Sequence, residues 1–175
     1  MFFIDPPLPA GQTIDQVNPD LAFCYELAEH FRDRKIALSL EDHQLDYLGV
    51  DIGFTRRPDY FPYVSIQTAD ADFSVKTLGR GAGEVARNKG TEFALIVVYE
   101  DADQQLGYAR LTDIKWNIRE LMIQLSGGGH SFRYLDVQKI EMMGLTKQEA
   151  ENEITENAPW GYRGQVIVFG SVEFK

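Results

Sequence analysis

The first regular pattern in the chain begins after Asn18-Pro19-Asp20. Leu21, Cys24, Leu27, Ala28 and Phe31 recur on one side of a helical repeat, and Glu26, Glu29, Arg32 and Asp33 fall on the other. Asn18 suits an N-cap, because its side-chain oxygen can accept from an unpaired backbone N–H. Pro19 follows at the first helical position, where its missing N–H costs nothing. The spacing predicts a helix over 19–34. The period then changes. Residues 46–54 and 62–68 read as strands, separated by a turn with Arg56, Arg57 and Pro58. Residues 92–99, Glu-Phe-Ala-Leu-Ile-Val-Val-Tyr, form the most apolar run and read as a central strand.

A second helical set consists of Leu111, Ile114, Ile118, Leu121, Met122 and Leu125. Thr112 or Asp113 is suited to cap its start, and Ser126-Gly127-Gly128-Gly129 stops it. Residues 132–143 read as a strand with Leu135, Val137 and Ile140 as apolar members. Residues 147–157 are acidic and carry no clear period. Residues 162–174 close the chain as a strand, with Val166, Val168 and Phe174 on one side, which ties the C-terminus into a sheet. Residues 1–17, with Pro6, Pro7, Pro9 and Gly11, read as an extended N-terminal arm. Residues 18–175 then form one α+β domain with a long loop over 69–90. Helices and strands do not alternate regularly, which disfavours a doubly wound parallel sheet. The order predicts a mostly antiparallel β-sheet with two main α-helices packed on one face.

Composition narrows the class. The chain has 175 residues, 44% hydrophobic and 25% charged, as an ordinary globular domain does. No apolar run approaches the roughly 20 residues that span a bilayer. The N-terminus has no basic start and only a brief apolar stretch, so no signal peptide is expected. One cysteine, Cys24, excludes an intramolecular disulfide and a cysteine-rich metal site, which suits a reducing cytoplasm. The net charge of −10 argues against broad nucleic-acid binding, since affinity for phosphate comes from Lys and Arg.

The acidity is uneven. Lys76, Arg80, Arg87 and Lys89 stand against the single acid Glu84 in a stretch that also holds Gly79, Gly81 and Gly83. Glu149, Glu151, Glu153 and Glu156 lie in the C-terminal third, shortly before Trp160. A basic loop on one copy and an acidic segment on another are suited to meet in a head-to-tail ring. Trp160 suits an interface anchor or a cover for the end of the sheet.

Motifs for chemistry are weak. The glycines at 79, 81 and 83 lack a Gly-Lys-Ser/Thr and follow polar residues, so they do not make a phosphate cradle. Pro58-Asp59 with Asp113-Ile114-Lys115 has the letters of a metal-dependent nuclease, but Asp113 is better read as a helix cap. His30, His43 and His130 lack partners at zinc-ligand spacing, although Asp42 and Asp46 neighbour His43. Cys24 falls on the apolar helix face. No catalytic, cofactor-binding or metal residue is expected.

The element order resembles that of the tail-terminator, or tail-completion, proteins of tailed bacteriophages. The likeness runs over nearly the whole chain. It consists of a capped helix, a strand after Pro62, a long loop and a strong strand ending in Val97-Val98-Tyr99-Glu100. A helix with Asp113, Ile114 and Leu121 follows, then a strand, then a closing strand through Tyr162-Arg163-Gly164-Gln165-Val166. The resemblance implies a structural, non-enzymatic α+β subunit of a hexameric ring. Such a ring caps the tail tube and joins it to the head–neck connector in the virion. It implies partners in the tube protein, the connector and other copies of the chain, with a possible contact to DNA in the lumen and none to a membrane. The candidate interface residues are Lys76, Arg80, Arg87, Lys89, Glu149, Glu151, Glu153 and Trp160. The competing readings are another neck, tube or baseplate component, and a DNA-binding or nuclease accessory protein that uses Arg56 and Arg57 with the basic loop.

Overall fold

The computed structural model describes residues 2–33, 48–53, 63–68, 90–126, 132–148 and 161–174. The elements are β1 (Phe2–Asp5), α1 (Pro19–Asp33), β2 (Leu48–Ile52), β3 (Tyr63–Thr68), β4 (Gly90–Asp101), α2 (Gln104–Ser126), β5 (Phe132–Gln148) and β6 (Gly161–Phe174). A single turn of 3₁₀ helix, Ile14–Gln16, precedes α1. The six strands form one sheet in the order β1-β2-β3-β4-β6-β5. Pairs β3–β4, β4–β6 and β6–β5 are antiparallel, while β1–β2 and β2–β3 are parallel. The expected α+β class therefore holds, and most paired residues are antiparallel.

The parallel corner has a simple cause. The N-terminal segment is extended, but its first residues pair with β2 rather than standing off as an arm: Phe2 faces Leu48 and Asp5 faces Asp51. Parallel neighbours need a crossover, and α1 supplies it between β1 and β2. The Tyr25 hydroxyl of α1 donates to the carbonyls of Pro6 and Pro7 at 3.1 and 3.2 Å, which fastens the segment after β1 to the helix. Gly53 closes β2 at φ +96°, a left-handed conformation natural to glycine, and its N–H donates to Ile66 O at 2.8 Å.

Both helices lie on one face. Cross-strand partners share a face, so Phe93, Leu95 and Val97 of β4 point the same way as Gly170, Val168 and Val166 of β6. Phe23 of α1 meets Phe93, with ring centroids 5.0 Å apart. The Arg110 guanidinium of α2 donates to the Tyr99 hydroxyl on that same face. α1 packs against β1, β2 and β3, and α2 against β4, β5 and β6. One continuous core joins the two halves, with Phe23, Phe31, Leu95, Leu111, Ile118 and Phe132 fully buried.

Several boundaries differ from the pattern. Gly90, expected to end the long loop, begins β4, paired with Glu173. Lys147 and Gln148, expected in the acidic stretch, end β5. The second helix begins at Gln104, a turn or more before Thr112 and Asp113, neither of which is a cap. Asp103 caps it instead: its carboxylate accepts from Leu106 N at 2.9 Å and its carbonyl accepts from Gly107 N at 2.9 Å. The first turns of α2 expose Leu106 and Tyr108, so they show no apolar period in the sequence.

Candidate interaction surface

The eight residues singled out as interface candidates, Lys76, Arg80, Arg87, Lys89, Glu149, Glu151, Glu153 and Trp160, lie outside the described residues. So do Arg56, Arg57, Pro58, Asp59 and His43. The described polar groups divide into a buried cluster and two surfaces.

The buried cluster joins the end of β4 to the start of α2. Asp101 Oδ2 accepts from the Tyr99 hydroxyl at 2.8 Å and from Arg110 Nη1 at 2.8 Å. Its Oδ1 accepts from the backbone N–H of Asp103 at 3.0 Å. Burial pushes the Asp101 carboxyl up. The Asp103 N–H, the Tyr99 hydroxyl and the Arg110 guanidinium outweigh that and hold it below its ordinary value of 3.8. The Tyr99 hydroxyl is raised, first by burial. Both carboxylate oxygens are engaged, so this group ties the end of a strand to the start of a helix. Asp113 and Lys115 stand within α2, with Asp113 exposed.

Other candidates resolve the same way. Cys24 is buried in α1, and burial followed by the nearby Asp20 charge pushes its thiol up to about 12. It is a core residue. Among the described residues, no group of three or more His, Cys, Asp or Glu is placed to hold a metal ion. No helix among them is long and apolar enough to cross a membrane.

The first surface is the outward side of α2. Gly107, Leu111, Ile114, Ile118, Leu121 and Leu125 face the sheet. Trp116 and Ile123, two turns apart on the other side, are 57% and 55% exposed, while Tyr108 and Leu106, 53% and 46% exposed, lie on opposite flanks near the start of the helix. Arg119 lies over the Trp116 ring, its Cζ 5.2 Å from the centroid, in a cation–π contact. On the helical repeat Asp113 and Glu120 border this stripe on one side, and Lys115 and Arg119 border it on the other. Sequence reasoning passed over the stripe because it sought the face that recurs, and Trp116 and Ile123 lie off it. Their spacing, one heptad apart and opposite the core set, was the available signal.

The second surface is the face of the sheet that carries neither α1 nor α2. Register places Ile96 beside Ile167, Ala94 beside Phe169 and Val98 beside Gln165. On the far side of β6, Phe169 lies beside Lys139, Ile167 beside Glu141 and Gln165 beside Met143. Phe169 and Met143 are 38% and 51% exposed. The same face differs toward the β2–β3 side, where Asp51, Tyr63 and Ser65 are buried and the Tyr63 hydroxyl donates to the Asp51 carboxylate. Glu100 and Arg163 face each other across β4 and β6, with Arg163 Nη2 and Nε at 2.9 and 3.2 Å from Glu100 Oε2.

Comparison with protein-family models and with curated proteins gives no match for the chain.

Proposed function

We propose that the chain is a structural subunit of a phage-type tail, a terminator that self-associates into a ring, caps the tube and meets the head–neck connector. The observation that supports this most directly is the outward side of α2. Trp116 and Ile123 stand more than half exposed on the side of the helix opposite the one built into the core. A large aromatic side chain at the surface is a common anchor of contacts with other molecules. The element order that resembles the tail-terminator family supplies the kind of assembly.

In this reading the chain does no covalent chemistry. It stops polymerisation by covering the surfaces of the last tube ring that would otherwise template the next. The partners are other copies of the chain, the tube protein and the connector, with DNA in the lumen as a further contact, and the place of action is the tail or neck of a virion. Light scattering tests it, on the chain alone and with tube protein from the same genome. A hexamer is expected, either free or on meeting tube, together with tubes of limited length. A chain that stays monomeric and leaves tube growth unchanged overturns it.

A further inference from the structure

Met122, Met142 and Met143 stand in three different environments. Met122 belongs to the core side of α2 and is buried. Met142 and Met143 are neighbours on β5, so their side chains leave opposite faces of the strand. Met142 turns inward and packs against the core, its sulfur 3.9 Å from the Thr112 hydroxyl of α2. Met143 turns outward and is about half exposed. It stands opposite Gln165 of β6, whose Nε2 donates to the Met143 sulfur at 2.9 Å.

We propose that Met143 is a sulfoxidation site for hydrogen peroxide, and that the Gln165 amide holds the sulfoxide oxygen once it forms. The step needs no further reactant. A sulfur lone pair attacks one peroxide oxygen, and the S–O bond forms as the O–O bond breaks. The leaving hydroxide takes the proton of the transferred hydroxyl, which gives one sulfoxide and one water. Sulfur loses two electrons and the peroxide gains them. The site is independent of the ring reading, which rests on α2.

Two features of the fold select Met143. The first is access, because oxidation requires the peroxide to reach the sulfur, and Met122 and Met142 are held in core packing. The second is the fate of the product. Oxidation turns an apolar side chain into a polar one. At Met122 the new oxygen would be buried among Leu111, Ile118 and Leu125 without a partner, which costs stability. At Met143 it has solvent on one side and an amide donor on the other. Thioether sulfur is a weak acceptor. The sulfoxide oxygen is a strong one, so the Gln165 N–H exchanges a poor bond for a good one.

Peptide mass spectrometry of the folded chain in hydrogen peroxide tests the site by following the uptake of one oxygen at each methionine. Met143 is expected to react on the order of tenfold faster than Met122, with Met142 between them. In concentrated urea the three rates should converge. Equal rates in the folded chain, or a faster Met122 or Met142, overturn the site. Urea midpoints before and after oxidation test the donor, in the wild type and in Gln165→Ala. Oxidation should shift the midpoint further in the variant, since only the wild type gains the amide bond. Equal shifts overturn the role of Gln165. Met143→Leu keeps the volume and removes the sulfur. It should show no shift over the time in which Met143 reacts, and a shift of wild-type size there places the oxidation elsewhere and overturns the proposal.

Discussion

At the scale of single residues, two positions show how close packing and charge fix this fold. A Cβ on Gly170 would lie 2.5 Å from the Asp136 carbonyl and 2.7 Å from the Phe93 ring. The carbonyl belongs to the neighbouring strand and cannot move aside cheaply. Gly170→Ala is expected to destabilise by about 1–3 kcal/mol, as overpacking does, and the midpoint of urea unfolding measures it. Asp101 makes a prediction in pH. Its carboxyl is held below the ordinary value in the folded chain. A depressed acid contributes stability that is present above the unfolded pKa and lost as pH falls through the folded one. Asp101→Asn should therefore lower the urea midpoint by a constant amount above about pH 5, and the gap to the wild type should close on further acidification. A gap that persists unchanged in acid contradicts the charge-based account.

At the scale of elements, the ends of α2 matter more than its middle. The middle is specified many times over by Leu111, Ile114, Ile118, Leu121, Met122 and Leu125. The first turn exposes Leu106 and Tyr108 and depends on one side chain, Asp103, to accept from Leu106 N. Asp103→Ala is expected to cost about 1 kcal/mol, within the usual range for loss of an N-cap. Asn18→Ala should behave alike in α1, since Asn18 Oδ1 accepts from Leu21 N at 2.9 Å. Thermal melts followed by circular dichroism check both, and Asp113→Ala serves as a control that leaves the melt unchanged within about 0.5 kcal/mol. At the other end Ser126 Oγ donates to the Ile123 carbonyl at 2.7 Å, at the place where the glycines after it forecast a stop.

At the scale of the molecule, two half-domains share one core. α1 serves the β1–β2–β3 side and α2 serves the β4–β6–β5 side. Phe23 links them: its ring meets Phe93 of β4 and, edge-on at 5.6 Å, Phe132 of β5. Phe23→Ala is expected to cost about 3–5 kcal/mol, the range for emptying an aromatic site in a core. Because the ring bridges both sides, circular dichroism of the helices and near-ultraviolet signals from the aromatic rings should lose stability together. Separate transitions would show that the halves fold independently.

The recurring apolar positions by themselves determined both main helices, the strands after β1 and the α+β class. Leu21 to Phe31 and Leu111 to Leu125 each repeat on one helical side, and a run such as residues 92–99 fits only the middle of a sheet. Periodicity is a local property, and it survives in a single line of letters. Tertiary structure decided what depends on distant partners. Phe23 lies off the apolar set read from the first helix, yet it is fully buried because β4 and β5 bring Phe93 and Phe132 to it. β1 was legible as extended chain but not as a strand, since its parallel partner lies more than forty residues on, at Leu48. The same holds for the candidate surfaces. The pattern marked charged stretches at 76–89 and 149–156, where sign is visible in sequence. The Trp116–Ile123 spacing was visible in the sequence, but the exposure of those two residues and of Phe169 emerged only when the core had taken the other sides of α2 and the sheet. Exposure is what folding leaves over, and no residue carries it alone.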